Sequence, residues 1–100
     1  MTTFEPIALF NCCTELVEPD WSQFDWLELG GCIDVNEPDD PNGTCIEGGQ
    51  SREEAHFFTV YGHLREGGCE AITDAYGFEQ GELVGLELAR RAGLGLRVEC

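Results

Sequence analysis

The clearest pattern of apolar and polar positions lies in the second half of the chain. His56 to Leu64 is dense in aromatic and β-branched residues, a composition that suits a half-buried strand. Arg65-Glu66-Gly67-Gly68 follows as a turn in which glycine supplies positive φ, and Cys69 to Asp74 returns as a second strand. From about Glu79 to Ala92 the apolar period lengthens to that of a helix. Val84, Leu88 and Ala92 line one face, with Gly81 and Gly85 beside them, so a sheet can approach closely. Gly93 is placed as the C-cap, and Leu94 to Glu99 alternates again as a final strand. The C-terminal order is therefore β-β-α-β.

The first half is less regular. Pro6 to Phe10 reads as a strand. Asp20 to Leu27 reads as a short helix capped by Asp20, or as an aromatic loop. Leu27-Glu28-Leu29 and Cys32 to Val35 alternate weakly. Asn36 to Gly43 is an acidic loop ending in Asn42-Gly43, with Thr44 to Glu47 pairing back. Ser51-Arg52-Glu53-Glu54 fits a capping box, but Phe57-Phe58 follows too soon for a long helix. No internal repeat divides the chain. The expectation is one α+β domain over residues 1–100: a small antiparallel sheet with one main helix packed across it. Leu83 and Leu86 fall on the opposite side of that helix, next to Arg90. The favoured expectation is that they pack under the N-terminal segment. The alternative is an apolar patch for a partner, or a homodimer contact through Leu83 and Leu86.

Charge changes this picture. The chain has 100 residues and a formal net charge of −15, yet it is 42% hydrophobic, too apolar for a disordered acidic tail. The first fifty-one residues hold eleven carboxylates and no basic residue; all five arginines come later, and there is no lysine. Such charge repels phosphates and anionic lipid, so neither nucleic acid nor a membrane surface is an expected direct ligand. No basic-then-apolar leader opens the sequence, and no stretch approaches the ~20 apolar residues of a membrane span. A cytoplasmic host-cell location with largely reduced cysteines is expected.

Self-repulsion is tolerable where the charge serves a basic partner. The candidate contact residues are Asp20, Asp25, Glu28, Asp34, Glu37, Asp39 and Asp40, with Trp21 and Trp26 as aromatic anchors. Glu15, Glu18 and Glu47 extend the acidic set. Duplex DNA carries one charge per about 1.7 Å of axis, a field that clustered carboxylates can imitate in part. The competing reading is a merely solubilising surface, and for Trp21, Phe24 and Trp26 core packing is the favoured role.

Other chemistry is weakly signalled. Cysteines at 12, 13, 32, 45, 69 and 100 form no C-x-x-C, and no metal or cofactor is expected. His56 and His63, seven apart, would face opposite sides of one strand. Cys32 and Cys45 flank the acidic loop and would meet across a hairpin, as thiols rather than a disulfide. Asp34 to Cys45 fails as a calcium loop, having Pro38, Asp39 and Cys45 at its fifth, sixth and twelfth positions. His63 precedes Cys69 across the turn, but no third catalytic group is identifiable, so no enzyme is expected.

The stretch Phe58-Thr59-Val60-Tyr61-Gly62-His63-Leu64-Arg65-Glu66-Gly67-Gly68-Cys69-Glu70-Ala71-Ile72-Thr73-Asp74, followed by an Ala/Leu helix and a short strand, resembles small proteins of phages, plasmids and integrated elements. In size and charge the chain resembles the anti-CRISPR and anti-restriction inhibitors. That resemblance implies a non-enzymatic inhibitor acting on a crRNA-guided surveillance complex or its nuclease, whose nucleic-acid channels are basic. The class shares no common motif, so no residue role carries over. The alternatives are a Cys-rich metal- or redox-responsive protein, and an acidic subunit or antitoxin-type partner.

Overall fold

The computed structural model describes residues 6–35 and 45–100. The predicted loop carboxylates Glu37, Asp39 and Asp40 lie outside the described residues. The fold is α+β: a five-stranded sheet with one long helix across it. The strands are β1 (Phe24–Val35), β2 (Cys45–Gln50), β3 (Phe57–Leu64), β4 (Cys69–Ala75) and β5 (Leu96–Val98). The helices are α1 (Pro6–Leu9) and α2 (Phe78–Ala92), with a 3-10 turn at Trp21–Gln23.

The C-terminal elements form where local pattern predicts them. Leu64 N–H donates to Gly68 across the β3–β4 turn at 2.9 Å, with Gly67 and Gly68 at φ 107° and 84°. Gly93 closes α2 at φ 69°, its N–H directed to the Ala89 and Arg90 carbonyls. Glu79 in the first turn and Arg90 and Arg91 in the last suit the helix dipole. The Ser51 backbone carbonyl accepts from the Glu54 and Ala55 N–H groups at 3.2 and 3.0 Å, so the chain makes a single turn there and goes on into β3.

The sheet order is β2-β1-β3-β4, antiparallel throughout, with β5 added parallel to β1. A strand–helix–strand crossover brings the chain back in its original direction. β4 already runs parallel to β1 through β3, so α2 delivers β5 parallel as well. One edge of β1 pairs with β3 from Phe24 to Cys32. The other edge is shared, taking β5 at Leu27 to Leu29 and β2 at Gly31 to Val35.

Three expectations for the first half are corrected. Pro6–Leu9 is helical rather than extended. Its few apolar residues do not distinguish the two periods, and α1 packs on β4 and α2 instead of joining the sheet. The two alternating patches are one twelve-residue strand running through Gly30-Gly31. Cys45 pairs with Val35, not Cys32, whose cross-strand neighbour is Phe57. His56, expected on a strand, precedes β3.

One face of the sheet holds the core. Leu27, Leu29, Phe58 and Val60 meet Val84 and Leu88 of α2, with Leu9, Phe10, Phe24 and Ile72 completing the cluster. Full burial of each such side chain contributes roughly 1.5–3 kcal/mol. Gly81 and Gly85 bring α2 close: a Cβ at Gly81 would stand 3.1 Å from Leu29 Cδ1, and one at Gly85 would stand 3.0 Å from Leu96 Cδ2. A register shift between Phe24 and Trp26 makes Asp25 the extra residue of a bulge. It moves Phe24 onto the core face, although Trp26 two residues on faces the other way. A second shift, at Val60/Tyr61, leaves the Ile72 carbonyl free to accept from Cys12 N–H at 3.0 Å. Asn11 completes this edge: its side chain donates to the Asp74 carbonyl at 2.9 Å and accepts from the Asp74 N–H at 2.7 Å. Thr73 Oγ1, fully buried, donates to the Ala8 carbonyl at 2.7 Å.

The Phe24 ring lies against Gly62, where an added Cβ would fall 2.5 Å from it. Gly62→Ala is expected to lower stability by about 1–3 kcal/mol, the range for overpacking a full core. At Gly48 a Cβ would meet only Tyr61 Oη, at an ordinary 3.6 Å. Urea unfolding should show a large fall in midpoint for Gly62→Ala and none for Gly48→Ala; equal midpoints would contradict this packing.

Candidate partner-binding surface

The described part of the acidic half divides into an exposed segment and an internally bonded cluster. The segment runs from Glu15 to Asp20. Glu15 and Leu16 both hold left-handed backbone, at φ 57° and 58°, a conformation costing about 1–2 kcal/mol per non-glycine residue. The turn presents Leu16 and Val17 to solvent at 39% and 59% exposure, beside exposed Glu15, Glu18 and Asp20. Asp20 caps the 3-10 turn, accepting from the Ser22 N–H at 3.0 Å and the Ser22 hydroxyl at 2.7 Å. Those bonds, the hydroxyl's first, hold its carboxyl below the usual carboxylate range. Trp21 donates through Nε1 to Glu18. Its half-buried ring sits 6.4 Å from Phe10 and 6.2 Å from Phe24, at the margin of the core.

The cluster lies on the sheet face away from α2. Alternation along β1 sends Trp26, Glu28, Gly30 and Cys32 to this side, and β3 adds Thr59, Tyr61 and His63. Trp26 stacks on His63 with centroids 3.7 Å apart and planes 13° apart. The Arg97 guanidinium lies over the same ring at 3.9 Å. β3 and β5 flank opposite edges of β1, so imidazole and guanidinium approach the indole from opposite sides. Asp25, on the bulge, reaches His63 Nδ1 at 2.6 Å. Glu28 accepts from Trp26 Nε1 at 2.9 Å and from Cys69 Sγ at 3.5 Å. Cys69 stands directly opposite His63 in the β3–β4 register. Farther along, Cys32 Sγ lies 3.2 Å from Tyr61 Oη, and Thr59 Oγ1 donates to Asp74 at 2.7 Å. Asp25, Trp26 and Glu28 are thus brought together, but their polar groups are occupied within the protein.

The arginines are occupied too. Arg52 lies 3.5 Å over the Phe78 ring and donates to the Cys100 carbonyl at 3.3 Å. Arg65 donates to the Ser22 carbonyl at 2.9 Å. Arg90 and Arg91 both hold Glu87, at 2.7 and 3.1 Å, and Arg97 covers Trp26. Hydrogen bonds from Arg90 and then Arg91 bring the Glu87 carboxyl down to about 2. Glu87 and Asp25 have a basic side chain within ion-pair distance. Exposed Glu53, Glu54, Glu66, Glu70, Glu79 and Glu99 have none.

Four of the described thiols, Cys12, Cys13, Cys69 and Cys100, are held above the ordinary thiol range, which disfavours the thiolate. Cys12, Cys13, Cys32, Cys69 and Cys100 are free. Burial, followed by the charge of Asp74, pushes the Cys12 thiol up to about 12; the residue as a whole is exposed, so water reduces the effect without changing its direction. Burial and the carboxylates of Glu70 and Glu28 raise Cys13 and Cys69 respectively. Burial also raises Cys100, against the pull of Arg52. Cys12 and Cys13 line a cleft of about 290 Å³ with Val17, Phe24, Glu70 and Ile72. Among the described residues no three His, Cys, Asp or Glu side chains converge as metal ligands.

Asp34 lies in β1 opposite Ile46 of β2. Leu83 and Leu86 stand exposed at 52% and 54%, so the expected cover from the N-terminal segment does not form among the described residues. Sequence reasoning left Arg97 and Asn11 without roles. The period-two pattern Trp26, Glu28, Gly30, Cys32 was the available signal for the polar face. No helix is long and apolar enough to cross a membrane among the described residues. No protein-family model, curated protein or solved structure matches this chain.

The folded chain holds thiol protons that the unfolded chain releases. That contribution to stability is complete below the ordinary thiol value of 9.0 and is lost as pH rises toward about 12. The urea midpoint should therefore fall across that interval, and Cys12→Ser should reduce the fall. A midpoint independent of alkaline pH would refute the assignment.

Proposed function

We propose that this protein is a non-enzymatic acidic inhibitor that covers the basic nucleic-acid-binding surface of a host-defence complex. The carrying observation is the commitment of all five arginines to partners within the molecule. Arg90 and Arg91 share the one carboxylate of Glu87, the other three arginines sit on rings or carbonyls, and the net charge is −15, so exposed carboxylates dominate the outward field. Such a field speeds encounter with a cationic groove and excludes phosphates from it. The segment Glu15 to Asp20 supports the reading, because it joins carboxylates to the apolar Leu16 and Val17. Interface energy comes from desolvated apolar anchors, while charge chiefly sets register and rate. The protonated thiols, one of them beside Glu28, favour a binding role over cysteine catalysis.

The target is sought by capture from a CRISPR-bearing host and identified by mass spectrometry. Binding should weaken steeply as salt rises, because the attraction is screened over ~10 Å at 0.1 M. Each exposed ion pair is worth about 0–1 kcal/mol, so single reversals at Glu15, Glu18 or Asp20 should matter little. Reversing all three to lysine should weaken binding by roughly tenfold or more and flatten the salt dependence. The wild-type protein should shift neither DNA nor RNA in a low-salt gel. A folded triple variant with unchanged affinity and salt slope would reduce the acidic half to a solubilising surface.

A further inference from the structure

The exposed side of α2 carries a self-complementary stripe. Glu79, Leu83, Leu86 and Arg90 are all exposed and follow one another at spacings of four, three and four. At about 100° per residue, these positions fall within a band of roughly 60° on one side of the helix. The band opposes the buried face of Val84, Gly85 and Leu88. Its order is acid, leucine, leucine, base, symmetric in spacing and opposite in charge at its two ends.

We infer that this stripe is a homodimer contact in which α2 packs antiparallel on α2 of a second copy. A two-fold axis between Leu83 and Leu86 places Leu83 of each copy on Leu86 of the other. The same axis places Glu79 of each copy opposite Arg90 of the other, giving an isologous interface with both end charges matched. A parallel arrangement would instead put like charges together at both ends. Arg90 already donates to Glu87 through Nε and one terminal nitrogen, but its side chain is 72% exposed and its remaining N–H groups can take a second carboxylate at the end of the stripe.

Two opposing forces set the strength. Leu83 and Leu86, about half exposed in one copy, lose apolar surface to water on pairing. Against this, each copy carries −15, and the two bodies repel. One helix stripe is also smaller than the ~800 Å² per partner of a standard stable interface. The dimer is therefore weak, and it strengthens as salt screens the repulsion between copies. That trend is opposite to the one expected for a basic target, so the two proposals fail separately.

The test is sedimentation equilibrium of the full chain over roughly 10 µM to 1 mM protein, a span chosen for a small interface, at low and at high NaCl. Self-association to a dimer that tightens with salt is expected. Leu83→Glu with Leu86→Glu should weaken it by at least ~tenfold. Glu79→Arg alone and Arg90→Glu alone should each weaken it by up to ~fivefold, and the two together in one chain should restore it. All four positions are exposed, and far-UV circular dichroism with thermal melting checks that each variant is folded. A monomer at every concentration and salt overturns the inference, as does a dimer indifferent to the leucine substitutions. A dimer that the paired charge swap fails to restore overturns the antiparallel arrangement.

Discussion

The structure depends on β1 having both edges paired along most of its length. Three strands need that one strand: β3 on one side, and β5 and β2 in succession on the other. Leu27, Leu29 and Cys32, along its middle, are fully buried. β5 is only three residues long and short of partners of its own, so it holds its place by lying parallel to β1 beneath α2. The close seating of α2 at Gly81 and Gly85 follows from the same arrangement, since their nearest neighbours are Leu29 of β1, Phe58 of β3 and Leu96 of β5.

The pairing of β1 also distributes charge. By bringing β3 and β5 to opposite edges, it places His63 and Arg97 on either side of Trp26. The bulge at Asp25 supplies the carboxylate that meets His63. Arg97 and Glu28 are thereby tied to one indole ring, and Asp25 to the imidazole stacked on it. Elsewhere Glu87 gathers two arginines at the end of α2. Exposed carboxylates such as Glu15, Glu53, Glu66 and Glu99 face solvent uncompensated, which makes a basic partner energetically welcome and a second identical copy costly. Recognition of a cationic surface and weak self-association would therefore respond to salt in opposite directions.

The hairpin from Phe57 to Ala75 and the helix that follows were legible in the chain because their signals are local. Alternation, a double-glycine turn, a 3.6-residue apolar period and a glycine cap lie within a few residues of the structure they produce. The first half was less legible. Gly30-Gly31 resembles a break in sequence, yet pairing on both sides carries β1 through it. The bulge at Asp25 shifts the alternation, so Phe24 and Trp26 look alike in sequence but face opposite sides.

The sequence by itself determined the charge, the α+β class and the β-β-α-β order of the C-terminal half. These follow from composition and from interactions between near neighbours. Only the tertiary structure decided which charged groups are committed. Asp20 and Asp25 are equivalent as letters, but one caps an exposed turn and the other meets an imidazole from a strand 38 positions away. Likewise, only packing decided that Leu83 and Leu86 stay in water while Val84 and Leu88, their neighbours on the same helix, lie in the core. A helix side becomes buried only when another element arrives to cover it, and that depends on chain distant in sequence.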